Sequence, residues 1–430
     1  MKDRNEGAVR GLVDHLFRRC SGQMVAALAR ALGPENLDLA EEVVQDALLR
    51  ALQVWPHRGI PPNPEAWLQR TARNRAIDVL RRRENLRGKL RSVDGIPWRD
   101  GADRERAPAL EGAIGDGELA MIFMCCHPAL PPESQLALTL KTVGGFGVAE
   151  IAGALLAKDA TVAQRLVRAK RLIAERGVAL ELPPAGELTA RLDAVLKVVY
   201  LMFNEGYSAH RGARLVRADL CGEAIRLAEL MARHPATDRP ETHALLALML
   251  FQASRTRARE DADGALVLLA DQDRALWDAE LIGRGFRALD GSARGDRITA
   301  YHVQAAIAAC HAAAPCWERT DWSRILDLYD ELVELEPTPV TRLNRAVAVA
   351  MVRGARAGIE AAEAVTGEAG LQRYHLLPAT LGELWLRAGV PRRAAEYYSR
   401  AIELPCTEPE RRFLEKKLAE CRRRGAVRRD

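Results

Sequence analysis

The chain has 430 residues, 48% of them hydrophobic and 28% charged, with a formal net charge of +5 and only 5% aromatics. That is more than one ordinary domain needs and predicts roughly two to four, each able to bury a core. No apolar run reaches the roughly 18 residues needed to span a bilayer. Eight cysteines with no CxxC pair argue against a disulfide framework.

The N-terminus, MKDRNEGAVRGLVDHLF, has no apolar signal core, so a cytoplasmic location is expected. Ala, Leu, Arg and Glu dominate the sequence. They lose little side-chain freedom in a helix, so an all-α chain is expected. Arginine clusters lie mostly in the first 176 residues and at the very end, the footprint of a nucleic-acid binder or of a solvated helical surface.

Residues 8–84 read as helices. From Leu39 to Trp55, Ala40, Val44, Ala47, Leu48, Ala51 and Trp55 form one stripe. On another face Glu42, Gln45, Asp46 and Gln53 surround Leu49. That pattern suits a helix-on-helix contact with a basic partner, or is a stray surface leucine. The Gly59–Pro64 stretch breaks the chain, and Asn63 is placed to cap a new helix with Pro64 in its first turn. That helix has an apolar stripe at Leu68, Ala72, Ala76 and Val79. Arg70, Asn74 and Arg81 stand opposite, with Arg73, Arg82 and Arg83 nearby, where they could follow a phosphate backbone. Trp67 reads as core rather than as a base-stacking platform.

Residues 87–118 carry Gly, Pro, Asp and Arg without a period and read as a linker. Cys125, Cys126 and His127 resemble a metal-site fragment, but two adjacent thiols rarely chelate alone, so no metal is expected. In the segment 146–176, Val148, Ile151 and Leu155 share one face of a short helix. A tight turn follows, with Asp159 as a candidate cap, and Val162, Leu166, Ala169 and Ile173 then bury a second helix. The second helix shows Ala163, Gln164, Val167, Arg168 and Arg171, with Thr161 near its start. This is the helix-turn-helix layout, or an ordinary helical hairpin with a solvated arginine face. Gln pairs with adenine and Arg with guanine in a major groove, while other basic side chains hold phosphates.

The Leu182-Pro-Pro-Ala-Gly break separates residues 190–430, which read as short helices with loops at 233–241, 254–264, 290–297 and 335–340. Near the end, Leu381, Gly382 and Trp385 are followed by Ala394, Tyr398, Ala401, Leu404 and Pro405. This is close to the small-and-aromatic pattern of a tetratricopeptide (TPR) helix pair. Pro337 precedes Pro405, and Tyr329 precedes Tyr397, by two periods of about 34 residues. An α-solenoid is the expected form of this part.

The order DLAEEVVQDALLRALQVWP, NPEAWLQRTARNRAIDVLRRR, LPPESQLALTLKTVGGFGVAEIAGALLAKDATVAQRLVRAKRLIAE resembles the extracytoplasmic-function (ECF) sigma factors over about residues 8–180. The rest, with VYLMFNEGYSAH and TDWSRILDLYDEL, looks like the ECF subgroup with a long C-terminal tetratricopeptide-like extension.

The resemblance implies two small helical sigma domains, region 2 over 8–86 and region 4 over 119–182, joined by the linker 87–118 and followed by the extension 190–430. It implies core RNA polymerase and promoter DNA as partners, and no cofactor. Glu41, Glu42, Gln45, Asp46 and Leu49 would dock on polymerase. Arg70, Arg73, Asn74 and Arg81 would lie at the −10 element, and Thr161, Gln164, Arg165, Arg168 and Arg171 at the −35 element. The extension is expected to modulate the sigma part through an intramolecular contact or a protein partner.

An enzyme is the rival class. Glu205, His210, His243, His302, His311 and His375 carry acid/base chemistry in principle, but no HExxH, GxSxG, P-loop or dinucleotide glycine pattern appears, and no catalysis is expected. The Asn204–Tyr207 run is expected to end a helix at Asn204 or Gly206, with Tyr207 packing back. Other rivals are a helix-turn-helix regulator with a helical sensing domain, which has no need for residues 38–83, and a scaffold that binds a peptide.

Overall fold

In the computed structural model the chain is all-α. The structure describes residues 2–87, 117–155, 157–207, 216–261, 264–368 and 370–427. Most of the expected linker, 88–116, lies outside the described residues, as does His210. Among the described residues no strand forms, apart from one isolated bridge between Glu260 and Leu266. No described helix is long and apolar enough to cross a membrane. The chain divides into two compact units, Met1–Leu201 and Met202–Asp430, with the division falling inside one helix.

The first unit opens with α1 (Lys2–Leu32), α2 (Leu37–Arg58) and α3 (Pro64–Arg87). Val9, Val13, Leu16, Cys20 and Met24 recur every three or four residues along α1 and are buried, as one helix face requires. They meet the α2 stripe, which ends at the fully buried Trp55; α3 adds Leu68, Ala72 and Ala76. Truncating Trp55 to Ala would cost about 3–5 kcal/mol. The expected break is present: Gly59, at φ 81°, ends α2, and the Ala66 N–H donates to Asn63 Oδ1 at 3.0 Å at the start of α3.

Four more helices follow in this unit: α4 (residues 117–125), α5 (Pro132–Thr142), α6 (Val148–Ala154) and α7 (Asp159–Arg176). Helix α4 is buried on every side from Leu119 to Cys125, which is why its sequence shows no amphipathic period. Gly177, at φ 60°, closes α7 in the left-handed conformation that glycine adopts without strain. Helix α8 (Ala185–Tyr207) then begins, and Arg191 donates to the Phe123 carbonyl at 2.8 Å.

The second unit runs from the end of α8 through α9 (Ala218–Arg233), α10 (Pro240–Ser254), α11 (Ala279–Ser292), α12 (Ala300–Ala313), α13 (Trp322–Leu335), α14 (Pro339–Arg353), α15 (Ala355–Glu363), α16 (Leu376–Arg387), α17 (Pro391–Glu403) and α18 (Glu408–Val427). Helix α10 is buried from Ala244 to Phe251 and touches α9, α11 and α12. From α12 onward each helix packs on the next. Between α16 and α17, a Cβ on Gly382 would stand 3.2 Å from the Tyr398 ring, so glycine is what lets these helices approach.

Helix α8 does not stop at Asn204 or Gly206, as expected; it continues to Tyr207. The cause is packing. A Cβ on Gly206 would lie 2.8 Å from the Cys221 nitrogen, so the glycine serves helix approach rather than termination. Tyr207 is buried, with the Arg259 guanidinium 3.9 Å from its ring centre and donating to its carbonyl.

Candidate nucleic-acid interface

Helices α6 and α7 form a short helix, a tight turn and a longer helix. The α6 start is held by Glu150, whose carboxylate accepts the Gly147 N–H at 2.7 Å. On α7, Val162, Leu166, Ala169 and Ile173 face the core. The opposite side leaves Thr161, Gln164, Arg168 and Arg171 exposed at three- and four-residue spacing, with Val167 66% exposed among them. Arg171 pairs with Glu175 at 2.6 Å one turn on. Arg165 lies apart from this stripe: it is half-buried and ion-paired with Glu133 of α5. Asp159 makes no side-chain cap. The capping position falls on Lys158, and Asp159 is the first residue of the helix, where its charge suits the dipole.

On α3, Arg70, Asn74 and Arg81 are exposed and Arg73 is half-buried, with its Nε enclosed. Trp67 is half-buried, edge-on to Trp55 with ring centres 5.4 Å apart, so it is neither wholly core nor an open stacking platform. On α2, Leu49 is 57% exposed, and Glu42 and Gln45 beside it are exposed as well. Asp46 pairs with Arg75 of α3 at 2.8 Å.

Glu41 is placed differently from its four neighbours in that set. It is covered by α7 and α5: Lys170 Nζ lies 2.8 Å from its Oε2, and the Thr142 hydroxyl donates to its Oε1 at 3.2 Å. Lys170 also reaches Asp38 at 2.6 Å. Burial alone would lower the Lys170 ammonium, but Glu41 and Asp38 outweigh it and hold the group above its ordinary value. A further contact joins the same two parts, since a Cβ on Gly22 of α1 would collide with the Val143 carbonyl. Sequence reasoning missed Lys170. A signal was present: it follows Leu166 by four residues and so flanks the buried stripe rather than the exposed one.

The residues weighed for catalysis are scattered into local structural roles. His243 bonds Asp238 at 2.7 Å, His302 bonds Thr299 at the start of α12, and His375 meets Glu410 at 3.4 Å. Cys125 and Cys126 are buried; burial pushes the Cys126 thiol up to about 12 and the Cys125 thiol well above its ordinary value. Among the described residues no group of three His, Cys, Asp or Glu side chains is arranged to hold a metal ion.

Comparison with known families gives three matches in chain order: sigma-70 region 2 over residues 17–85, sigma-70 region 4 over 120–173, and a family of unknown function, DUF6596, over 191–293. The sigma-70 regions indicate a transcription factor rather than an enzyme. The extension thus matches DUF6596, not a tetratricopeptide family, and that match ends before the Leu381–Tyr398 pattern. Among curated proteins, Uncharacterized protein R00370 of Rhizobium meliloti is 42% identical over 410 residues, covering 95% of each chain. The ECF RNA polymerase sigma factor SigE of Mycolicibacterium smegmatis is 27% identical over 162 residues, which is 37% of this chain and 58% of that protein. No solved structure matches the chain. The two sigma-70 regions and the SigE likeness support an ECF-like sigma factor, and the chain belongs to one family with its full-length Rhizobium relative.

Proposed function

We propose that the chain is an alternative sigma factor that works in the cytoplasm, binding core RNA polymerase and directing it to promoters. The observation that carries this reading is the exposed stripe Thr161, Gln164, Arg168 and Arg171 on the second helix of a helix-turn-helix, inside a sigma-70 region 4 match. The helix-turn-helix alone would also suit a conventional regulator. The exposed Leu49 with Glu42 and Gln45, inside a region 2 match, supports the sigma reading over it.

In this reading region 2 spans 8–86, the linker 87–118, region 4 spans 119–182, and 190–430 is a TPR-like solenoid that regulates the sigma part. Arg70, Arg73, Asn74 and Arg81 serve the −10 element. Thr161, Gln164, Arg165, Arg168 and Arg171 serve the −35 element, with Arg165 leaving Glu133 to do so. Glu41, Glu42, Gln45, Asp46 and Leu49 form the polymerase-docking set. Because Glu41 belongs to the docking set and is covered by Lys170, their contact opens in this reading when polymerase is bound.

In vitro transcription with bacterial core polymerase and a genomic promoter library tests the function. Specific starts that appear only with this protein are expected. Footprinting by the protein alone, with no starts, would make it a conventional regulator. Deleting residues 190–430 should change promoter output, and unchanged output would remove the regulatory role of the extension.

A further inference from the structure

We propose that the second unit binds a neutral, predominantly apolar small molecule in a half-open cleft of about 330 Å³ lined by α12, α13, α14, α16, α17, α18 and the segment before α11. The inference does not depend on the sigma reading; it concerns a different unit and a different chemistry. The volume falls at the small end of ligand pockets, roughly 300–1,000 Å³.

One wall is a strap of chain rather than a helix. Leu266, Leu268 and Leu269 line the cavity from this loop, where polar residues are the ordinary choice. The strap is pinned at both sides: the Val267 N–H donates to the Arg259 carbonyl at 2.8 Å, and the Leu266 N–H to the Pro409 carbonyl at 3.4 Å. The wall from α12 to α13 is aromatic. Trp317 and Trp322 meet edge-on at 4.7 Å, and the His311 ring lies 5.3 Å from Trp322. Burial, aided by Arg255 and Arg274, lowers His311 to about 3, so this ring faces the cavity uncharged at neutral pH.

The opposite wall carries charge, but it is already committed. Glu383 accepts from the Tyr398 hydroxyl at 2.9 Å and pairs with Lys417 at 3.3 Å and Arg387 at 3.2 Å. Glu410 accepts from the Thr407 hydroxyl at 2.8 Å and meets His375 at 3.4 Å. A charged ligand would have to break one of these pairs or enter without a counter-ion, which burial penalises heavily. A neutral ligand meets no such cost, and the leucine strap and tryptophan wall supply its contact surface.

The test uses the full chain and two probes, the neutral dye Nile red and the anion 1-anilinonaphthalene-8-sulfonate, each titrated by fluorescence. Two substitutions fill the cavity from different helices, Val347→Trp on α14 and Ala379→Trp on α16. Each is read only if it keeps the wild-type melting temperature, so the failure of one leaves the other. Nile red should saturate at one site per chain, and either variant should weaken it by at least about tenfold. The anion should bind at least about tenfold more weakly than the neutral dye. No saturable binding of Nile red by the wild type overturns the proposal, as does equal affinity in a filled, folded variant. An anion that binds as tightly as the neutral dye overturns its chemical class.

Discussion

Lys170 of α7 and Glu41 of α2 stand 2.8 Å apart, their side chains only 14% and 11% exposed, so the helix that carries the candidate DNA-reading stripe is tied to the helix that carries Leu49. Removing the ammonium alone leaves a nearly buried carboxylate with one hydroxyl partner. Lys170→Met is expected to lower stability by about 1–3 kcal/mol. Lys170→Met with Glu41→Gln should recover most of that loss, because the uncompensated charge is gone. Urea unfolding of the two single variants and the double variant measures the coupling; strictly additive losses would mean that the pair contributes nothing of its own.

The exposed α7 stripe makes distinct predictions for its members. If Gln164 and Arg168 read base edges, alanine at either should cost about 1–3 kcal/mol on the preferred promoter and relax preference at one position. Arg171, already paired with Glu175, should behave as a phosphate contact: Arg171→Ala should weaken all sequences alike and reduce the salt slope by about one. Electrophoretic shift titrations of the polymerase complex at several salt concentrations separate the two behaviours.

Leu49 is exposed, so Leu49→Asp should leave stability within about 0.5 kcal/mol of the wild type. It should nevertheless abolish association with core polymerase, read by fluorescence anisotropy of the labelled protein. Retained association would remove this face of α2 from the docking set.

His311 gives the second unit a pH dependence. Its folded value, about 3, lies below its ordinary 6.5, so the unfolded chain takes up the proton first. Stability is therefore complete above about pH 6.5 and declines as pH falls from there towards 3, by up to a few kcal/mol. Melting curves from pH 7 to 4 should show the decline, and His311→Phe should flatten it.

Much of this architecture was legible residue by residue. The Asn63–Pro64 start of α3, the buried stripe of α7, and the loops at 233–241 and 335–340 rest on local rules, and they stand where those rules put them. What escaped is long-range or set by packing. Lys170 and Glu41 are 129 residues apart in the chain, and no spacing rule connects them. Asp159 reads as a cap because its type suits the role, yet the helix starts one residue earlier than that reading needs. The NEGY run does close the described α8, at Tyr207, but Gly206 within it serves the approach of Cys221, a neighbour supplied by the next helix. His311 looked like one of several scattered histidines; only the fold shows it against two tryptophans.

The strap at Leu266 has a consequence for synthesis. Its hydrogen bond to Pro409 spans about 140 residues, so at about 5–20 residues per second the strap waits roughly 10–30 s on the ribosome before its anchor exists. Until then the strap lacks its hydrogen bond to α18. The second unit is thus closed only when its last helix arrives, and nascent chains halted before α18 should be the ones that chaperones and proteases find first.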